Sequence, residues 1–161
     1  MPNDTNSVLS IDSNRSRNII LSFFLFWALI TVNGVVFNEI VQYFDIQTGF
    51  DNEVFDSSAK VKFIFIVLIF PFLETLIFQH WPARIIDYFG GKNYLIVLVT
   101  SILFGLYHFY SWIYIIFGLC AGVIFILFYL RMKKYSFYPL LMTFLLHAAH
   151  NGVGFVMFEL L

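Results

Sequence analysis

Glu74, His108, His147 and Asn151 are the residues whose types and spacing carry chemistry in this chain. Glu74 stands within Pro71-Phe72-Leu73-Glu74-Thr75-Leu76-Ile77-Phe78-Gln79-His80, a carboxylate with apolar residues on both sides. An ionisable group in a hydrocarbon-facing helix costs about 2.5–3.5 kcal/mol on insertion scales and as a rule marks a proton, ion or substrate site. A carboxyl withdrawn from water keeps its proton to higher pH, which suits a general base or acid working near neutrality. Pro71 lies three residues earlier, has no N–H to offer the Val67 carbonyl, and so loosens the helix. In a bilayer such a defect is tolerated only where protein or a water-filled cavity satisfies the freed groups. Pro71 and Glu74 together therefore point to a polar pocket.

His108 ends the run Phe104-Gly105-Leu106-Tyr107-His108, in which Gly105 lets a second helix approach closely. His147 and Asn151 are four residues apart and share one helix face, with Ala148, Ala149 and Gly152 leaving room around them. One carboxylate, two imidazoles and an amide suit water activation and oxyanion stabilisation. Glu74 would take a proton from water held by His108, and side-chain donors of His147 and Asn151 would bind the oxyanion of a tetrahedral intermediate. One such donor is worth about 2.7–4 kcal/mol. The same groups suit a divalent metal such as zinc, because two His and a carboxylate make a common ligand set. Both readings stay open on residue types, with a site free of metal and cofactor preferred. His150 reads as a tightly packed polar residue, and His80, beside Trp81 and Pro82, as a residue of the membrane interface.

Positioning these side chains falls to membrane helices. The chain has 161 residues, of which 60% are hydrophobic, 21% aromatic and only 12% charged, a composition too apolar for an ordinary soluble domain. A spanning helix takes about 20 mostly apolar residues, and five segments qualify, the third of them short: Ile19 to Phe37, Val61 to His80, Tyr94 to Phe109, Trp112 to Leu130 and Phe137 to Phe158. The expected fold is all-α, a polytopic membrane bundle of about five transmembrane helices over residues 19–161. The motifs fall on 61–80, 94–109 and 137–158, after a disordered polar tail over 1–18. The run from Ile19 is longer than the hydrophobic region of a signal peptide and is followed by no small-x-small cleavage pattern, so it reads as a retained anchor. Net charge is -1, without the basic face that nucleic acid demands. The single Cys120 reads as a small packing residue.

The connections carry the remaining polarity. Asn38 to Lys60 holds Glu39, Asp45, Asp51, Glu53 and Asp56 with a turn at Gly49, and reads as an acidic extramembrane loop. Trp81 to Asn93 reads as a short amphipathic piece on the membrane surface, ended by Gly90-Gly91. Tyr110-Ser111 is a tight link that makes helices three and four antiparallel neighbours. With a cytoplasmic N-terminus, Arg15, Arg17, Arg84, Lys92, Arg131, Lys133 and Lys134 lie inside and only Lys60 and Lys62 outside, as the positive-inside rule requires.

The chemistry-bearing residues resemble those of the intramembrane CAAX prenyl endopeptidases and their bacterial relatives linked to bacteriocin processing and self-immunity, the CPBP or Abi family. Its pattern is Glu-Glu-x-x-x-Arg, Phe-x-x-x-His and His-x-x-x-Asn, each on a separate transmembrane helix. The matching positions are Glu74 through Gln79, Phe104 through His108, and His147 through Asn151, and the resemblance runs from about Val61 to the C-terminus. It implies a glutamate-dependent hydrolase with Glu74 as base, His108 as its water partner and His147 with Asn151 at the oxyanion. Two positions depart from the pattern: Thr75 stands where the second Glu is usual, and Gln79 where Arg is usual. Losing both charges keeps the balance, so a neutral hydrogen-bonded pair is expected in place of an ion pair.

The reading is an intramembrane endopeptidase in the bilayer of a bacterial plasma membrane, acting on a membrane-associated peptide or protein. A non-catalytic immunity or regulatory protein that binds a peptide or partner is the alternative. A metal- or haem-binding membrane protein using His108, His147 and His150 is another. The sequence sets no oligomeric state.

Overall fold

The computed structural model describes residues 5–46 and 58–159, with side chains over 13–46 and 58–157. Five helical rods follow in order: α1 (Thr5–Tyr43), α2 (Ala59–Tyr88), α3 (Asn93–Tyr107), α4 (Trp112–Lys134) and α5 (Pro139–Glu159). There is no strand among the described residues. Four rods are long and apolar enough to cross a bilayer over Ser13–Tyr43, Ala59–Tyr88, Trp112–Lys134 and Pro139–Met157. The fifth, α3, has 15 residues, about 22 Å at 1.5 Å per residue, and falls short of the roughly 30 Å hydrocarbon core. The protein is thus the all-α membrane bundle expected.

The ends of the rods differ from expectation because tertiary contacts extend them. Residues 5–18, expected as a disordered tail, continue α1 as helix. The described side chains of this end are docked: Arg15 Nη2 donates to the carbonyls of Tyr135 and Ser136 in the α4–α5 link, and Arg131 Nε donates to Ser22 Oγ at 2.6 Å. Ser22 Oγ in turn donates to the Asn18 carbonyl. With an ion pair between Lys133 and Asp87, these contacts gather Arg15, Arg131 and Lys133 at one end of the bundle. At the opposite end α1 runs through Asn38 and Glu39 to Tyr43. Gly49, Asp51, Glu53 and Asp56 of the expected acidic loop lie outside the described residues.

Nor does α2 stop at His80. Trp81–Tyr88 prolongs the same rod, and its Ala83 is fully buried against Ile96, Ile126 and Tyr129. This segment is therefore packed into the bundle, where a surface-lying amphipathic piece was expected. His80, half-buried, shares a hydrogen bond of 2.8 Å with the Tyr129 hydroxyl, which ties α2 to α4 at this level. Cys120 is also placed differently, exposed on the outside of α4.

Two prolines shape α2 from within. Over Phe63–Ile69 and Thr75–His80 the rod winds as a π-helix, in which N–H groups reach five residues back. Phe70 N–H bonds the Phe65 carbonyl, and Trp81 N–H bonds that of Leu76. Each wide stretch ends two residues before a proline, Pro71 or Pro82. A proline ring clashes with the carbonyl four residues back, and widening the turn moves that carbonyl aside. Such wide turns are frequent at functional sites.

Antiparallel α3 and α4 make the closest crossing, through glycine. A methyl placed on Gly122 would meet Ser101 Cα at 3.0 Å, and one placed on Gly118 would lie 3.1 Å from Gly105 Cα. Small residues four apart are a common device of membrane helix pairs, where packing replaces a hydrophobic driving force. Beside this crossing lies the main core, built on Ile30, Phe104, Phe125, Phe128 and Leu146.

Candidate active site

Three helices deliver the site's polar groups to the bundle interior. Glu74 ends the short α-helical turn between the two π stretches of α2, so its side chain direction is set by the widened backbone on either side. Its Oε2 lies 3.5 Å from His147 Nε2, with Glu74 14% and His147 6% exposed in their side chains. The other ring nitrogen, His147 Nδ1, lies 3.5 Å from Thr75 Oγ1. Both distances are at the outer limit of a hydrogen bond. The imidazole plane is fixed by aromatic rings: Phe125 stacks on it at 4.4 Å and 32°, and Phe104 meets it edge-on at 5.9 Å.

His108 caps the C-terminus of α3. Its Nδ1 donates to the Phe104 carbonyl at 2.8 Å. A carbonyl only accepts, so Nδ1 carries the proton and Nε2 of the neutral ring keeps its lone pair, the orientation that a partner on the second nitrogen usually sets. The ring lies against Phe104 with centroids 5.1 Å apart, so one phenylalanine separates the two histidines. Space for His108 exists because residue 118 lacks a side chain: a methyl on Gly118 would sit 3.0 Å from His108 Nδ1.

Asn151 is on the same flank of α5 as His147, but its amide is engaged elsewhere. Asn151 Nδ2 donates to the Ile66 carbonyl at 2.9 Å, in the first π stretch of α2. Of the four expected site residues, the structure pairs Glu74 with His147, sets His108 across Phe104 from that pair, and ties Asn151 to the α2 backbone. Among the described residues there is no group of three His, Cys, Asp or Glu at metal-ligating spacing; Glu74 and His147 form a pair without a third member.

The expected neutral pair of Thr75 and Gln79 is not formed. Thr75 turns to His147, while Gln79 is fully buried with no described partner for Oε1 or Nε2. His150 packs under Gly34 of α1, where a methyl would touch its Cε1 at 3.0 Å, in keeping with its reading as a packed polar residue. It also lines a cavity of about 460 Å³ with Thr31, Gly34, Ile66, Asn151 and Gly154.

Sequence reasoning missed three residues here. Thr75 meets His147 Nδ1, which its place directly after Glu74 does not foretell, since neighbours in a helix point in different directions. Gly118 was passed over, although Gly118-Leu-Cys-Ala-Gly122 is a small-xxx-small run. Tyr110 lies two residues past His108, with its ring 6.0 Å from the imidazole and 5.0 Å from Tyr114. Burial, then Tyr114, Glu74 and Tyr107, push its phenol above the usual range, which keeps it protonated near the carboxyl.

Residues 56–153, more than half of the chain, match the family model described as type II CAAX prenyl endopeptidase Rce1-like. The chain belongs to that family. The matched span contains Glu74, His108, His147 and Asn151 together. The family is one of proteases, and four long apolar helices place this member in a membrane, so the chain is a membrane endopeptidase in kind. No curated protein and no solved structure matches it.

Proposed function

We propose that this protein hydrolyses a peptide bond of a membrane-associated peptide or protein, with Glu74 as the base that activates water. The observation that carries the reading is the approach of Glu74 Oε2 to His147 Nε2 at 3.5 Å in the bundle interior, inside the span that matches the endopeptidase family. With its Nδ1 proton held by Phe104, His108 offers the Nε2 lone pair to an O–H of the attacking water. Glu74 removes the second proton as the oxygen attacks the carbonyl carbon, and returns a proton to the amine that leaves. His147 Nε2–H, which faces Glu74 in the resting protein, donates to the oxyanion as it forms; Thr75 Oγ1 at Nδ1 supports that tautomer. No metal takes part in this scheme. The cavity of about 460 Å³ beside Asn151 is lined by His150 and Asn151 but not by Glu74, His108 or His147, so it adjoins the α5 end of the site and does not enclose the reacting groups. The membrane is proposed to be the bacterial plasma membrane, with the basic end of the bundle at the cytoplasmic side.

The test compares new protein termini in membranes of cells expressing the wild type or Glu74→Gln, which keeps the shape of the side chain and removes the base. Termini present only with the wild type establish proteolysis and name a substrate. Identical termini, with a phenotype that persists in the variant, overturn catalysis and leave a peptide- or partner-binding protein.

A further inference from the structure

We infer that Asn151 is a positioning residue: its side-chain amide replaces the N–H that Pro71 lacks, and this tie holds the Glu74 turn of α2 against the His147 face of α5. The inference deepens the reading of Glu74 as base, and its activity arm rests on that reading. The register of α2 carries it. In the first π stretch Phe70 N–H bonds the Phe65 carbonyl, five residues back. The next bond in that register would run from residue 71 to the Ile66 carbonyl, and residue 71 is a proline. A carbonyl left without a donor is costly in hydrocarbon, and Ile66 is half-buried at the edge of the cavity that Asn151 also lines. Asn151 Nδ2 supplies that donor at 2.9 Å, from a residue 85 positions away.

The packing around this bond makes it a point of registration between α2 and α5. Val67 is buried with Ala148 and Phe155 of α5, and Phe63 meets Phe155 edge-on at 5.5 Å. A methyl on Gly152 would only just touch Val67 Cγ1, at 3.7 Å. Small side chains on α5 thus let the widened backbone of α2 come near enough for an asparagine to reach it. His147 stands one turn before Asn151 on α5, and Glu74 stands eight residues after Ile66 on α2. Locking Ile66 to Asn151 therefore sets how Glu74 and His147 meet. The bond to Ile66 uses one of the two N–H donors of the amide, so the positioning role is tested directly against a role on substrate.

A double-mutant cycle of Pro71→Ala and Asn151→Ala in the full-length protein separates the two roles. Alanine at 71 restores an N–H to α2, so the backbone can satisfy itself without Asn151. Asn151→Ala alone should lower the melting temperature in detergent by about 3–6 °C and slow the release of Glu74-dependent termini by about 30-fold. Adding Pro71→Ala should return most of the melting temperature and bring the rate within about threefold of Pro71→Ala alone. If Asn151→Ala costs the same rate with proline or alanine at 71, Asn151 acts on substrate directly and the inference falls. Should Asn151→Ala not fold by itself, Pro71→Ala compared with the double variant decides the question alone. If the wild type releases no Glu74-dependent termini, the proposed hydrolysis fails, while the cycle in melting temperature still tests the tie.

Discussion

Glu74 Oε2 and His147 Nε2 face each other at 3.5 Å across the α2–α5 interface, the one place in the described bundle where a carboxylate and an imidazole meet inside the apolar interior. They are 73 positions apart in sequence, and the ring is held for the meeting by Phe125, Phe104 and Thr75.

If His147 donates to the developing oxyanion, His147→Ala should slow the release of Glu74-dependent termini by about 10²–10³, the cost of removing one such donor. Thr75→Val, which removes only the hydroxyl at Nδ1, should slow it by no more than about tenfold, because a contact of 3.5 Å is a weak hydrogen bond. Time courses of terminus release from membranes carrying each variant check both values. Equal losses would mean that Thr75 does more than orient the ring.

Gly118 makes room for His108, so Gly118→Ala should displace the imidazole from the Phe104 carbonyl. The methyl would lie 3.0 Å from Nδ1 and 3.1 Å from Gly105 Cα, and no flexible side chain is there to yield. The expected outcome is a loss of activity of tenfold or more with a lower melting temperature. Gly154→Ala is the control for stability, since nothing lies within 4 Å of a methyl there and alanine is favoured over glycine in a helix by about 0.5–1 kcal/mol. Its melting temperature should hold or rise.

Gln79 is fully buried and its amide has no described partner. An unsatisfied buried polar group costs about 1–3 kcal/mol, so Gln79→Leu, close to it in volume, should raise the melting temperature in detergent by a few degrees. Thr75→Glu should have the opposite effect, because a carboxylate there stands beside Glu74 without a cation, and an uncompensated buried charge costs about 3–5 kcal/mol. Combining Thr75→Glu with Gln79→Arg should recover much of that loss. A fall in melting temperature for Gln79→Leu would show that the amide does bond a partner in the membrane.

Much of the fold was legible because a bilayer leaves the chain few options. Runs of apolar residues near spanning length predict helices, since backbone groups in hydrocarbon must be satisfied within the segment, and all five appear in order. Rod ends were less legible. Residues 5–18 are polar and carry no periodicity, yet Arg15 and the Arg131–Ser22 pair dock α1 against the α4–α5 link. Trp81–Tyr88 looks like a separate surface piece because Arg84 and Asp87 alternate with apolar residues, whereas the widened turn before Pro82 lets the rod continue.

In the site, Glu74, His108, His147 and Asn151 stood out by type alone, because a charge or amide in an apolar run needs a reason. Their partners did not stand out. That Glu74 meets His147, that His108 donates a hydrogen bond to the Phe104 carbonyl, and that Asn151 serves the Ile66 carbonyl depend on helix register and rotation, which local pattern does not encode. The sequence by itself determined that this is a membrane helix bundle with polar groups inside it, since composition and run length answer directly to the solvent. Only the tertiary structure decided which of those groups touch, because that follows from how two proline-widened turns of α2 and the small residues of α4 and α5 let the helices approach.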